Sequence, residues 1–461
     1  MSFADAKNIY CLGIGGIGVS AIAKLFYLQG KTVAGWDMAR SEITDELIKM
    51  GIEVIIRPEV NLPQAADLLI YSPAVPADNI ARRQARERGI LELSYPEILG
   101  EISRTKKTIA VGGTHGKSTT TALVGLLLEA AGYDPLVIVG SIVKSFKYGN
   151  LRPGQGDYFV VEGCEHQANM LKIQPETIVI TNLEPDHLDY YRDLEHIKEA
   201  FRQFVASLPA SGQLIFNGDD PASREVAAAA AHKVSFGVEG AADYQGGSIV
   251  VQPSRQEFIL RAPTGATQRM VLRVPGRFNV YNALAASAAA LEQGVSLETC
   301  QKVLADFSGL RRRFEKVGEY RGALVISDYG HHPTAIKSTL AAARDFYPGR
   351  RLILVYQPHQ HNRTKNLFKE FAQALAEPDI LILSDIYDVA GREEAADQAV
   401  SSRLLGEEVK KLGGSDKMYL YGGDLNQTLE MIKERVKPND VLLIMGAGDI
   451  DWVARRLISN I

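Results

Sequence analysis

The sequence predicts an α/β protein with three domains, each built on a mainly parallel sheet. At 461 residues, the chain is too long for one hydrophobic core and suits two or three domains. Short apolar runs alternate with helical stretches along the whole length, which is typical of doubly wound sheets. Two glycine-rich turns, at 13–18 and 112–118, each lie between an apolar run and a helical stretch. Turns of this kind bind phosphate groups at a helix N-terminus.

The first domain is predicted to be Rossmann-like and to cover residues 1–105. The periodicity of 19–28 predicts a helix, and Gly30 suits the position after its end. Short apolar runs predict strands at 9–12, 32–35, 53–56 and 68–71.

The second domain is predicted to cover residues 106–312 and to resemble a P-loop ATPase sheet, because it begins with the turn at 112–118. A stretch of alternating, β-prone residues at 233–275 predicts antiparallel strands added to the parallel core. The parallel core is predicted to include strands at 158–161, 177–181 and 214–216.

The third domain, residues 313–461, is again predicted to be Rossmann-like. Its apolar runs predict strands at 323–326, 352–356, 380–383 and 441–445. In the second and third domains, polar residues follow the strands at their C-terminal ends, where parallel sheets bind ligands. The residues concerned are Glu162, Asn182, Asp328 and Gln357.

Composition and charge narrow the function classes. The chain is 46% hydrophobic and 23% charged, with a net charge of −4, so nucleic acid is not an expected partner. No apolar stretch approaches the roughly 20 residues that span a bilayer, so membrane insertion is not expected. Three widely spaced cysteines and an N-terminus without a signal-peptide pattern favour a cytoplasmic location. The sequence carries no indication of an oligomeric state.

The turn at 112–118 reads Gly-Gly-Thr-His-Gly-Lys-Ser and has the layout of a phosphate-binding loop. Its glycines allow backbone N–H groups to close around phosphate oxygens, and the helix N-terminus adds positive potential. Lys117 is expected to reach the β- and γ-phosphates of ATP, and the Ser118 hydroxyl to bind Mg²⁺. The strict pattern requires glycine at 111, where this chain has Val111, so the loop is a shorter variant.

The turn at 13–18 matches G-x-G-x-x-G and is followed nineteen residues later by Asp37. This is a dinucleotide fingerprint, and taken alone it would suggest an NAD-dependent oxidoreductase. However, the motif indicates only that a pyrophosphate binds at a helix N-terminus. Because UDP also contains a pyrophosphate, the motif fits a UDP-containing ligand as well.

The short phosphate loop resembles that of the Mur ligases of peptidoglycan synthesis, and further motifs resemble this family in the same order. Residues 13–23 read Gly-Ile-Gly-Gly-Ile-Gly-Val-Ser-Ala-Ile-Ala, and 181–189 read Thr-Asn-Leu-Glu-Pro-Asp-His-Leu-Asp. The other matching segments are 72–79, 162–165, 276–286, 311–315, 328–334, 357–364, 385–387 and 446–450.

The resemblance implies a UDP-sugar site in the first domain and an ATP site between the second and third domains. The residues implied to bind the UDP-sugar are Gly13, Gly15, Gly16, Ile17, Gly18, Asp37 and Ser72. Those implied to bind ATP are Gly113, Thr114, His115, Gly116, Lys117, Ser118, Thr119, Asn279, Asn282, Arg313, Asp328 and Tyr329.

The resemblance also implies two Mg²⁺ ions and a set of catalytic residues. Asn182, Asp186 and Asp189 accompany the implied metal ligand His187 in sequence. The implied metal ligands are Ser118, Glu162 and His187, and the implied catalytic residues are Lys117, His331 and Arg363. At four positions the chain departs from residues that the family often has: Cys164, Gln167, Phe278 and Gln360.

The function implied is that of the subgroup that adds the first amino acid. Such an enzyme joins L-alanine to UDP-N-acetylmuramate, using ATP to form an acyl phosphate that the amine then attacks. A sister ligase that attaches a recycled murein peptide shares most of the central motifs. An oxidoreductase would explain residues 13–18 but not 112–118. A regulatory protein that binds nucleotides without catalytic activity would explain the four positions that depart from the family.

Overall fold

The computed structural model describes residues 3–187, 190–388, 400–414 and 417–459. It confirms the predicted three-domain α/β class, with one sheet for each domain. By compactness the chain forms two units. The first comprises Met1–Gly247, Ile259–Arg269 and Tyr281–Leu304, and the second comprises Ser248–Phe258, Met270–Val280 and Ala305–Ile461.

The first sheet begins the chain and lies in the first unit. Its elements are β1 (Asn8–Leu12), α1 (Ile17–Leu28), β2 (Thr32–Asp37), α2 (Glu42–Met50), β3 (Glu53–Ile56), β4 (Leu68–Tyr71), α3 (Ile80–Glu87), β5 (Leu91–Ser94) and α4 (Tyr95–Ser103). The strand order is β3-β2-β1-β4-β5, and every neighbouring pair is parallel.

Both faces of this sheet are covered, and the residues of β1 show it. Ile9 and Cys11 belong to the large apolar cluster on one face, whereas Tyr10 and Leu12 belong to a separate cluster on the other. A parallel strand buried on both faces reads as a continuous apolar run, which is why this strand could be predicted. Because the strand order reverses between β1 and β4, their carboxyl ends open a crevice.

The second sheet has ten strands. Its segment of the chain contains β6 (Lys107–Gly112), α5 (Lys117–Ala130), β7 (Leu136–Ile138), β8 (Leu151–Pro153), β9 (Tyr158–Glu162), a 3-10 helix (His166–Lys172), β10 (Thr177–Ile180), α6 (Leu194–Ala206), β11 (Gln213–Asn217), α7 (Pro221–Ala227), β12 (Lys233–Gly237), β13 (Tyr244–Gln252), β14 (Arg255–Arg261), β15 (Thr267–Leu272), α8 (Arg277–Glu292) and α9 (Leu297–Asp306). The strand order is β15-β14-β13-β12-β11-β10-β6-β9-β7-β8.

The prediction of antiparallel strands over 233–275 is wrong for the first two of these strands, β12 and β13. β12 pairs in parallel with β11, and β13 pairs in parallel with β12. The alternating pattern shows that a strand has one exposed face, and it does not report strand direction. An antiparallel pair does occur at the other edge, between β7 and β8, two short strands that the sequence pattern missed.

The third sheet lies in the second unit. Its elements are β16 (Glu315–Tyr320), β17 (Ala323–Asp328), α10 (Pro333–Phe346), β18 (Leu352–Tyr356), α11 (His361–Asn366), α12 (Phe368–Leu375), β19 (Ile380–Ser384), α13 (Ser402–Leu412), β20 (Met418–Gly423), α14 (Leu425–Arg435), β21 (Val441–Met445) and α15 (Asp451–Ser459). The strand order is β16-β17-β21-β18-β19-β20, parallel except for the β16–β17 pair.

The central strand of the third sheet, β21, is buried on both faces. Val441, Leu443 and Met445 pack into one apolar cluster, and Leu442 and Ile444 pack into another. The four predicted strands of this domain lie within two residues of their observed bounds, because each is a continuous apolar run. Within the described residues, no helix is both long and apolar enough to cross a membrane.

We expect Gly35→Ala to destabilise the first sheet. A Cβ atom at Gly35 would lie 2.5 Å from Cδ1 of Ile14 and 2.6 Å from the carbonyl oxygen of Cys11. Overpacking of this kind costs about 1–3 kcal/mol of unfolding free energy. A matched control is Gly247→Ala, where a Cβ would meet no atom within 4 Å. Urea denaturation of both variants measures the difference, and equal midpoints would contradict the packing described.

Candidate active site

The phosphate loop connects β6 to α5 and is shaped by glycines. Gly113 and Gly116 have φ values of 128° and 87°, which residues with a side chain rarely adopt. A Cβ at Gly113 would lie 2.1 Å from Oγ1 of Thr181, and one at Gly116 would lie 2.2 Å from Oδ1 of Asn282. Only glycine therefore fits at either position. The loop ends at the N-terminus of a helix of 14 residues.

The segment that follows β10 holds the loop in place. The backbone N–H of Thr114 donates to the carbonyl oxygen of Asn182 at 2.8 Å, and the N–H of His115 donates to the Asn182 side chain at 3.0 Å. The Thr181 hydroxyl donates to the His115 carbonyl oxygen at 2.6 Å. Glu184 donates its N–H to the Thr114 hydroxyl at 2.8 Å. β10 and β6 are parallel neighbours, which brings these two strand ends together.

Lys117, at the first position of α5, pairs with a buried carboxylate. Its Nζ lies 3.0 Å and 2.9 Å from the two carboxylate oxygens of Glu165, and it also donates to the carbonyl oxygens of Gly113 and Thr114. Burial is the largest influence on the pKa of Lys117 and acts to lower it, but Glu165, Cys164 and Glu162 together raise it above the ordinary value. Lys117 therefore carries its charge at neutral pH.

Glu165 links Lys117 to the candidate metal ligand His187. Its Oε1 lies 3.4 Å from Nε2 of His187, and its side chain is 5% exposed. Burial acts to raise the pKa of Glu165, but Lys117 and His187 together lower it below the ordinary value. The structure thus joins Lys117, Glu165 and His187 in one charged cluster. His187 has a φ of 51°, a strained backbone of the type that concentrates at functional sites.

Glu162 lies at the carboxyl end of β9, opposite Val111 on the neighbouring strand β6. Its Oε1 accepts the backbone N–H of Gly140. The donor set at this edge, a carboxylate from Glu162, the Ser118 hydroxyl and the His187 imidazole, is compatible with a hard divalent cation. Ser118 is 5% exposed and lies next to Lys117 on α5, and Thr119, also assigned to the ATP site from the sequence, is 9% exposed.

Residues 277–286 of the matching segment 276–286 lie on α8. Asn282, in the first unit, approaches the phosphate loop through Thr120, whose hydroxyl lies 3.5 Å from Oδ1 of Asn282. In the second unit, the Asn279 side chain donates to the Pro275 carbonyl oxygen at 2.7 Å. Phe278 is half-buried against an apolar cluster of the second unit. Asn279 and Asn282 are three residues apart on this helix.

The first glycine loop gathers four of the residues predicted for the UDP-sugar. Gly15 donates its N–H to Oδ2 of Asp37 at 2.8 Å, and Ser72 donates its N–H to the Leu12 carbonyl oxygen at 3.0 Å. A Cβ at Gly13 would lie 3.0 Å from the Cβ of Ser72. The loop therefore lies at the crevice between β1 and β4. Gly16 precedes the N-terminus of α1, and Ile17 and Gly18 form its first turn.

In the second unit, Asp328 ends β17 and is held by backbone donors. Its two oxygens each accept an N–H at 2.7 Å, one from Phe314 and one from Gly330. Burial raises the pKa of Asp328, although Arg313 acts to lower it. The guanidinium of Arg313 lies 5.0 Å from the centre of the Tyr329 ring. The structure thus brings Arg313, Asp328 and Tyr329 together.

His331 and Arg363 both contact the His359 ring, and the three residues are called here the ring cluster. Nδ1 of His331 lies 3.2 Å from the Tyr329 carbonyl oxygen, which can only accept. In the neutral ring the proton is therefore on Nδ1 and the lone pair on Nε2. The rings of His331 and His359 are 5.8 Å apart, and Arg363 donates to Nδ1 of His359 at 3.1 Å.

The third-domain motifs meet at the carboxyl ends of β18 and β21, which are parallel neighbours. The Gln357 side chain donates to Oδ1 of Asp449 at 2.8 Å and accepts the N–H of Ile450 at 3.2 Å. Gln360, one of the departures, has a φ of 68° and opens α11. Its N–H donates to the Tyr387 carbonyl oxygen at 2.8 Å.

Three neighbours of the site were missed by the sequence analysis. The Gly140 backbone contacts Glu162, and the Tyr95 ring packs on Gly18, where a Cβ would lie 2.6 Å from it. The Asn150 side chain contacts α1. A Gly-Asn dipeptide at 149–150 indicates only a turn. Asp189, which the sequence analysis placed near His187, lies outside the described residues.

Three family models match consecutive parts of the chain. The Mur ligase family catalytic domain matches residues 8–107, and the Mur ligase middle domain matches residues 111–290. The Mur ligase glutamate ligase domain matches residues 312–448.

Individual proteins are similar over nearly the whole chain. A UDP-N-acetylmuramate–L-alanine ligase from Salinibacter ruber is 38% identical, covering 97% of this chain and 93% of the relative. The crystal structure of a UDP-N-acetylmuramate-alanine ligase from Thermotoga maritima has a TM-score of 0.84 and 28% identity, covering 98% of both chains. A murein peptide ligase from Psychrobacter arcticus has a TM-score of 0.72 at 24% identity, covering 98% of both chains, and shows the fold alone.

We expect Gly116→Ala to lower the affinity for ADP at least about tenfold, because one new methyl group would collide with Asn282 and reshape the phosphate loop. Gly132→Ala is the matched control. Gly132 has nearly the same φ, 85° against 87°, but a Cβ there would meet no atom within 4 Å. Both variants carry the left-handed backbone cost of about 1–2 kcal/mol. Calorimetric titration with ADP separates them, and equal affinities would argue against nucleotide binding at this loop.

Proposed function

Since the chain belongs to the Mur ligase family, we propose that it is an ATP-dependent ligase that joins L-alanine to the carboxyl group of UDP-N-acetylmuramate. The observation that carries the proposal furthest is the charged cluster of Lys117, Glu165 and His187 beside the phosphate loop. The proposed domains are 1–105 for the UDP-sugar, 106–312 for ATP and 313–461 for the amino acid. The proposed location is the cytoplasm.

The UDP-sugar is proposed to bind at the crevice between β1 and β4. The N-terminus of α1 directs backbone N–H groups and positive potential at this point, which suits a pyrophosphate. Ser72, at the carboxyl end of β4, lies beside Gly13 and borders the same crevice. Asp37 shapes the loop through its bond with Gly15.

ATP is proposed to bind at the phosphate loop, with its phosphates at the N-terminus of α5. Phosphoryl transfer requires positioning and neutralisation of spreading charge more than covalent help. Lys117 supplies a positive charge despite its burial, because the groups around it, Glu165 foremost, raise its pKa. Asn279, Asn282, Arg313, Asp328 and Tyr329 are proposed to complete the nucleotide site.

Ser118, Glu162 and His187 are proposed to hold Mg²⁺. When bound, the ions would neutralise negative charge on the phosphate oxygens. The protein's own part is to fix the ligands. Gly140 orients the Glu162 carboxylate and Glu165 orients the His187 ring.

The proposed reaction has two steps. A carboxylate oxygen of the muramoyl group attacks the γ-phosphorus, the bond to the bridging oxygen breaks, and ADP leaves. The neutral amine of L-alanine then attacks the acyl carbon, loses a proton, and displaces phosphate, which carries the attacking carboxylate oxygen with it. The second step needs a proton acceptor and a site for the amino-acid carboxylate.

His331 and Arg363 are proposed for these two roles. The Tyr329 carbonyl oxygen fixes the proton of neutral His331 on Nδ1, so Nε2 is the nitrogen that accepts a proton. Arg363 is a guanidinium suited to a bidentate carboxylate contact. Its bond to His359 places it in the same ring cluster as His331.

Phosphate release from ATP with UDP-N-acetylmuramate tests the proposal. We expect L-alanine to stimulate release more strongly than glycine, L-serine or the recycled tripeptide, each assayed separately. Stimulation by the tripeptide alone would instead assign the chain to the sister ligase. If no amine stimulated phosphate release, the chain would instead be a nucleotide-binding protein without ligase activity.

We expect replacement of Lys117 to lower kcat at least about 100-fold while leaving the affinity for UDP-N-acetylmuramate nearly unchanged. A single change would strand the buried charge of Glu165 and destabilise the fold. The informative variant is therefore Lys117→Met combined with Glu165→Gln, which removes both charges of the pair, compared with the unaltered protein. Steady-state kinetics and calorimetry measure the two quantities. Equal losses in both would contradict separate sites for ATP and the UDP-sugar.

A further inference from the structure

A buried polar cluster connects helix α1 to the chain between β7 and β8. The Lys24 side chain is fully buried, and its three donors are all used. Nζ donates to Oε1 of Glu46 at 2.8 Å, to the Tyr148 carbonyl oxygen at 3.1 Å, and to Oδ1 of Asn150 at 3.1 Å. A buried lysine is costly, so a fully satisfied one marks a contact that specifies a geometry.

Asn150 uses both ends of its side chain in this cluster, and it is fully buried as well. Its amide oxygen accepts from Lys24. Its amide nitrogen donates to the Ile17 carbonyl oxygen and, at 3.1 Å, to the Ser20 hydroxyl. Ile17 and Ser20 form the first turn of α1, directly after the glycine loop. The amide therefore fixes the end of the helix that is proposed to bind the pyrophosphate.

The backbone of Asn150 continues the connection toward the proposed metal site. Its carbonyl oxygen accepts the N–H of Val139 at 3.0 Å. Val139 precedes Gly140, whose N–H donates to the Glu162 carboxylate. Hydrogen bonds through Asn150 and the Val139–Gly140 backbone thus join the helix after the glycine loop to the Glu162 carboxylate.

We propose that Asn150, supported by Lys24, is a positioning residue that sets the distance between the UDP-sugar site and the phosphoryl-transfer site. The inference rests on the proposed function, since the pyrophosphate of one substrate must be held while its carboxylate reaches the γ-phosphate of the other. A misplacement of about 1 Å costs on the order of 100-fold in rate. A fixed spacing between the two sites therefore has a direct catalytic consequence.

The test is Asn150→Asp, which keeps the size and the acceptor for Lys24 but removes the donor to Ile17. We expect the KM for UDP-N-acetylmuramate to rise about tenfold and kcat to fall, while the KM for ATP stays within about twofold. Lys24→Met should change the KM for UDP-N-acetylmuramate and kcat less, because the hydrogen bond from the Asn150 side chain to the Ile17 carbonyl oxygen remains. If Asn150→Asp does not fold, Lys24→Met decides the outcome by the same comparison of KM values.

Asp67→Ala is the control for a merely structural effect. Asp67 accepts the N–H groups of Lys7 and Asn8 at the opposite end of β1 from the glycine loop, so its loss should lower stability without changing either KM. If Asn150→Asp behaved like this control, the positioning role would be refuted. Calorimetric binding of UDP-N-acetylmuramate to each variant is measured in parallel. If the unaltered protein released no phosphate, the proposed function would fail. The affinities of the variants for UDP-N-acetylmuramate would still show whether Asn150 positions that site.

Discussion

The hydrogen bonds between the phosphate loop and the segment after β10 are the constraint on which the candidate site depends. Two glycines with left-handed backbones allow the loop to fold so tightly that Thr181 and Asn182 contact its backbone. These contacts exist only because β6 and β10 are parallel neighbours in register. The loop in turn positions Lys117 against Glu165, and Glu165 against His187. A change in strand pairing would therefore disperse the whole charged cluster.

The same principle operates in the other two sheets. In the first, the carboxyl ends of β1 and β4 bring the glycine loop beside Ser72. In the third, adjacent parallel strands β17, β21 and β18 bring Asp328, Gly446 and Gln357 to one edge. Parallel strands place all their carboxyl ends on one side, so polar residues far apart in sequence become neighbours. The chain uses this arrangement three times for three proposed ligands.

Much of the fold could be predicted because the central strands are buried on both faces and appear as plain apolar runs. The three-residue strands β7 and β8 are too short to give such a signal. The direction of β12 and β13 was misjudged, because alternation reports exposure and not direction. Residues of the loops could be predicted where glycine, lysine and histidine occur in a specific order. The role of Asn150 could not, since its partners Lys24 and Ile17 lie more than 120 residues away and no local pattern records them.

Transfer of ¹⁸O from the substrate carboxylate to phosphate tests the central claim most directly. UDP-N-acetylmuramate labelled with ¹⁸O in its carboxyl group would be converted with ATP and L-alanine, and the released phosphate examined by ³¹P NMR. If the phosphate loop and Lys117 direct the carboxylate to the γ-phosphorus, one labelled oxygen enters each phosphate formed. Phosphate without label, released together with the amide product, would contradict an acyl-phosphate route and the role given to this loop.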